Sequence, residues 1–120
     1  MRRALILVSF VVIAISACSS DRWDSTESIA DVRAPHILWL HAPAGKSKIV
    51  GLEVHVTGTI QGDADISLML NGAPYRPEHL SGAVSFDWGG DWYSTEAEVR
   101  YTPQLVSEGK LSLRVRFREL

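Results

Sequence analysis

Hydrophobic and polar positions alternate with period two through most of the chain beyond residue 35. Val50, Leu52, Val54 and Val56 fall on one side of a segment whose other side carries Gly51, Glu53, His55 and Thr57. Ala64, Ile66, Leu68 and Leu70 alternate with Asp65, Ser67 and Met69, and Ala97, Val99 and Tyr101 with Glu96, Glu98 and Arg100. The cleanest run sets Leu111, Leu113, Val115 and Phe117 against Ser112, Arg114, Arg116 and Arg118. This period is that of strands half buried against a core. His36 to His41 reads as a short strand apolar on both faces, and Val84, Phe86 and Trp88 as one face of a further strand.

The intervals carry turn chemistry. Asn71-Gly72 predicts a tight hairpin, because both residues tolerate positive φ. Gly58 and Gly62 mark a bulge or bend, and Pro74 and Pro77 confine the next segment to an edge strand or loop. Asp87 to Asp91 holds a Gly-Gly turn. Six to seven short strands between Pro35 and Leu120, with no long helical period, predict an all-β domain over residues 35–120. The expected form is a small antiparallel β-sandwich, immunoglobulin-like in architecture only, since the cysteine pair of antibody domains is absent.

Residues 18–34 read differently. Asp21, Asp24, Glu27 and Asp31 are interspersed with serines and a threonine, without sustained periodicity. The expectation is an acidic flexible tether, with at most a short helix from Thr26 to Val32. Trp23 stands out there, either as an aromatic at a lipid interface or as a side chain docked on the domain.

Residues 1–17 differ again. Arg2 and Arg3 precede an apolar run from Ala4 to Ala17, about 14 residues long. That length suits the core of a secretory signal (~7–15 residues) and falls short of the ~20 that span a bilayer. The run ends Ile15-Ser16-Ala17-Cys18, and Cys18 is the only cysteine in the chain. The stretch resembles a bacterial lipoprotein signal peptide with its lipobox. The resemblance implies cleavage before Cys18, a diacylglyceryl thioether and acylation (palmitate) on that residue, and a membrane-held protein of the cell envelope. Ser19, where an aspartate would retain the protein at the inner membrane, implies the outer membrane in a Gram-negative host.

Removal of Arg2 and Arg3 leaves ten basic residues against fourteen acidic. This balance argues against nucleic acid or an anionic lipid surface as partner. With Cys18 lipidated, no intrachain disulfide can form, so the domain must be held by burial.

Two surfaces are candidates for chemistry. The stretch Phe86-Asp87-Trp88-Gly89-Gly90-Asp91-Trp92-Tyr93-Ser94 offers Asp87, Asp91, Trp92 and Tyr93 as a ligand or partner surface, because sugar rings stack on aromatics while carboxylates accept their hydroxyl protons. The structural alternative puts Trp88 in the core, Trp92 or Tyr93 over its end, and the aspartates on the turn. Arg114, Arg116 and Arg118 form a charged face, expected to be opposed by Glu96 and Glu98 across a strand pair. Asp63, Asp65, Asp87 and Asp91 lie near loops but lack calcium-loop spacing. His36, His41, His55 and His79 form no metal-ligand motif, although Glu53 and His55 share a face, and no serine lies in Gly-x-Ser-x-Gly. The reading is non-enzymatic, without cofactor or metal: a protein-binding or structural role, with a carbohydrate-binding module using the Asp87 to Tyr93 turn as the alternative.

Overall fold

The computed structural model describes residues 22–120; the signal stretch and Cys18 lie outside the described residues. Five strands form one antiparallel sheet: β1 (Ser25–Ile29), β2 (His36–His41), β3 (Ile49–Leu70), β4 (Ala73–Asp91) and β5 (Glu96–Glu119). The order is β1-β5-β3-β4, with β2 also paired to β5. The sheet is open. β4 pairs only with β3, and β1 and β2 pair only with β5.

The expected two-sheet, immunoglobulin-like sandwich is therefore not formed. The segments expected as separate strands are fused into three long ones, and glycine is the reason. At Gly62 a Cβ would stand 1.7 Å from the Leu105 carbonyl oxygen, and at Gly109 2.2 Å from that of Thr59. Both glycines have positive φ, 129° and 149°. Without side chains they let β3 and β5 bend and stay paired, Ile60 to Gly109 and Gly62 to Val106. The bulge or bend read at Gly58 and Gly62 forms, but inside one continuous strand and not between two.

The bends bring distant parts of β3, and of β4, together. Leu52 and Leu68, both on β3, line one crevice with Tyr75 and Trp88; a straight strand would hold them about 50 Å apart. On β4, Arg76 Nη2 donates to the Gly89 carbonyl at 3.2 Å. One core results, with Val54, Val56, Ile66, Val99, Tyr101, Leu113, Val115 and Phe117 at or below 1% exposure.

The Asn71-Gly72 hairpin forms as read, with φ of 52° and 78° and Leu70 paired to Ala73. Pro74 and Pro77 lie on β4, an edge strand. Alternation holds where no bulge intervenes and reverses where one does. A register shift after Leu68 buries Met69 and exposes Leu70, opposite to expectation. Another between Ile49 and Gly51 buries Ile49 and leaves Val50 half-buried. Shifting register by one residue exchanges the faces.

The stretch expected as a tether contains β1, and the helix allowed for there is absent. Ser25 to Ile29 pair with Val115 to Leu111, and Ile29 and Val32 enter the core. Asp24 secures the entry: Oδ2 accepts the Phe117 N–H and Oδ1 the Lys46 ammonium, both at 2.7 Å. The Tyr101 hydroxyl, buried as expected, donates to the Val32 carbonyl at 2.6 Å. Burial pushes its pKa up, with the Asp31 charge adding to the effect.

Candidate functional site

The outer faces of β4, β3 and β5 between the Gly58 bend and the strand ends carry a charged surface arranged in rows. Cross-strand register places Arg118, Gly51 and Asp91 in one row, Arg116, Glu53 and Gly89 in the next, and Arg114, His55 and Asp87 in the third. Ser112, Thr57 and Ser85 follow. Two surfaces that the sequence offered separately, the arginines and the aspartates, thus lie on one face with β3 between them.

Each row has its own chemistry. Arg118 lies over Gly51, where a Cβ would fall 2.4 Å from its Nη2. Glu53 sits between Arg116 at 3.6 Å and Arg22 at 3.7 Å. Its Oε2 is out of contact with water and has no hydrogen-bond partner among the described residues, so the two guanidinium charges must offset its desolvation. The His55 ring and Asp87 are joined through Nδ1 and Oδ1 at 2.6 Å. Trp23 stacks on His55 with centroids 6.2 Å apart, and Arg22 lies over Trp23 at 5.4 Å. Trp23 thus docks on the domain, one of the two roles anticipated for it. Arg22, Trp23, Glu53, His55, Asp87 and Arg114 line a shallow depression of about 420 Å³.

Glu96 and Glu98 do not oppose the arginines. They occupy the other end of the same strand, where they face His41 and Trp39 of β2. The expectation assumed two strands where β5 is one. Glu53, which shares a face with His55 as read, is the acid that meets Arg116.

The Gly-Gly turn expected over Asp87 to Asp91 is not formed, since Gly89 and Gly90 continue β4 opposite Glu53 and Leu52, and the aromatic stretch separates into parts. Asp87 belongs to the rows, paired with His55. Asp91 sits at their end, opposite Gly51. Trp92 is buried (8% exposed): its backbone N–H bonds the Val50 carbonyl at 3.2 Å, and its indole N–H the Glu96 carbonyl at 3.0 Å. Tyr93 is left exposed without it. Trp88 is in the core, edge-on to Phe86 at 5.3 Å.

A second polar cluster forms where β3 and β4 resume pairing beyond the bend. His79 on β4 meets Asp65 at 3.0 Å and Asp63 at 3.1 Å, one carboxylate on each ring nitrogen, and Gln104 also donates to Asp65. The hydrogen bond to Asp65, then that to Asp63, raises the His79 pKa above the ordinary imidazole value. The hydrogen bond from His79 is the largest cause lowering that of Asp65. His79 escaped the sequence reading because register, not spacing, brings it to the two acids.

β2 carries the third feature. Leu40 is buried and Leu38 half-buried, whereas Ile37 and Trp39 are 59% and 54% exposed. Trp39 lies opposite Glu98 and lines a groove with Met69, Leu70, Trp92 and Glu96. The signal was the run His-Ile-Leu-Trp-Leu-His, apolar on both faces.

No family model matches this chain, and neither does any curated protein or solved structure.

Proposed function

We propose that the chain is a lipid-anchored envelope protein whose domain binds a protein partner along the free edge of β2 and performs no catalysis. The anchor rests on the lipobox ending in Cys18, and placement at the outer membrane of a Gram-negative host rests on Ser19.

The observation that carries the partner reading is the contrast between the two sheet edges. β4 is blunted by Pro74 and Pro77, which cannot donate to an added strand. β2 has no proline, presents its outer backbone groups and exposes Ile37 and Trp39 beside them. A strand added there gains main-chain hydrogen bonds, and its side chains cover the two apolar residues. The carbohydrate reading of the Asp87 to Tyr93 turn has less support, because Trp92 is spent on packing and Tyr93 stands alone.

The test places a photo-crosslinking residue at position 39 in intact cells. The expected result is an adduct with one reproducible protein, lost in the Ile37→Thr/Trp39→Ser variant. Ile37 and Trp39 are both more than half exposed, and the melting curve of that variant is compared with wild type so that lost binding is told apart from lost folding. Recovery of cell-wall glycan without a protein adduct would overturn the reading.

A further inference from the structure

We infer that the arginine side of the row-patterned face lies against anionic phospholipid headgroups of the membrane that holds Cys18. The inference rests on the lipid-anchor reading and adds an orientation and a lipid chemistry to it.

Covalent reach comes first. Only Ser19, Ser20 and Asp21 separate Cys18 from Arg22. Four steps of chain span at most ~14 Å, whatever their conformation. The headgroup layer on each side of a bilayer is itself ~5–7 Å thick. With Cys18 acylated, Arg22 therefore cannot stand far above the headgroups. The sequence suggested a tether four times longer; β1 shortens it by pairing with β5.

The fold then decides which face meets the lipid. The chain does not enter at a free tip. Arg22 pairs with Glu53, Trp23 stacks on His55, and Asp24 bonds Val115, Phe117 and Lys46. The anchor point is fixed to the outer face of β3 and β5 by three consecutive residues.

That side of the face suits an anionic surface. Arg22, Arg114, Arg116 and Arg118 stand on or over it. Glu53 is flanked by two of them, and Asp87 is engaged by His55. Among the described residues, Arg114 and Arg118 form no ion pair with a carboxylate. The net charge, fourteen acidic residues against ten basic, spoke against an anionic lipid surface, but strand register gathers four of the arginines on one face. An anionic bilayer attracts this stripe and repels the bulk of the domain, a torque that orients it. Trp23, half-buried, has the amphipathic ring that settles at headgroup depth. Trp39 is not part of this face; it lies in the groove with Met69, Leu70 and Trp92.

The experiment uses the full-length lipidated protein in vesicles of phosphatidylcholine, with or without phosphatidylglycerol, containing brominated lipids that quench tryptophan on contact. Mass measurement of the N-terminal peptide first establishes acylation of Cys18. In phosphatidylglycerol vesicles the expected quenching is lost in Trp23→Phe and kept in Trp39→Phe. It also falls in Arg114→Gln/Arg116→Gln/Arg118→Gln, in high salt and in pure phosphatidylcholine, with the melting curves of all variants checked against wild type. Unmodified Cys18 would overturn the anchor and this inference together. Acylated protein whose quenching resides in Trp39, or is equal in both lipid compositions, would overturn this inference and leave the anchor standing.

Discussion

β1 and β2 are two short strands of five and six residues, both antiparallel to β5 at opposite ends of it. Residues 102–110 of β5 lie between the two stretches they cover. They differ in what they present to solvent. β1 exposes Thr26 and Ser28, and Asp24 closes its start with a carboxylate that satisfies a backbone N–H and an ammonium at once. β2 exposes Ile37 and Trp39, and nothing among the described residues covers them. Hydroxyls at a sheet edge are at home in water. An isoleucine and a tryptophan there keep apolar area hydrated that burial would stabilise at ~25 cal/mol per Å². The comparison separates a strand that completes the domain from one that leaves apolar side chains in water.

Each strand has a support whose loss should affect it first. Trp92→Ala should have the largest effect, ~3–5 kcal/mol, because it empties a buried indole site and frees the Glu96 carbonyl next to β2. Amide exchange should accelerate at β2 before β1, and a variant with wild-type melting but lost binding would instead make Trp92 a ligand platform. Asp24→Ala reverses the pattern. It removes an acceptor from the buried Phe117 N–H and from Lys46, at a cost of ~2–3 kcal/mol, and should loosen β1 first. If both variants opened β1 and β2 together, the two ends of β5 would be one cooperative unit.

The smallest effect lies at His79, outside both strands. Its folded pKa is raised, so its contribution is fully present below the ordinary imidazole value and is lost as pH rises through the raised one. Asp65 has a lowered pKa, so its share is present above the ordinary carboxylate value and is lost as pH falls through the lowered one. The contact therefore acts between the carboxylate and imidazole ranges. His79→Gln should lower the melting temperature slightly within that window and leave it unchanged at alkaline pH. Melting curves across the range read this directly, and an equal loss at alkaline pH would show that packing, not charge, is involved.

Much of the fold was legible in particular residues. Leu111, Leu113, Val115 and Phe117 are inward as their alternation says, and the Asn71-Gly72 turn forms where the dipeptide places it. The bulge or bend at Gly58 and Gly62 was legible too, but not that the strand continues through it, and for that reason the strand count and the sandwich were misread. β1 was unreadable because Ser25 to Ile29 is short and mostly polar, and becomes a strand only through the pairing that β5 supplies. The arginines and Asp87 were each visible, but their arrangement in shared rows depends on the register of three strands.

By itself, the sequence determined which residues prefer the core and that the domain is built of strands. Those properties reside in local period, turn chemistry and composition, and need no partner. The tertiary structure alone decided that the sheet is single and open, that Trp92 is packing and Trp39 is surface, that His79 meets two aspartates, and that Arg22 and Trp23 lie on the arginine face. Each of these follows from strand register and glycine bends, which join residues far apart in the chain, and no local pattern encodes such a pairing.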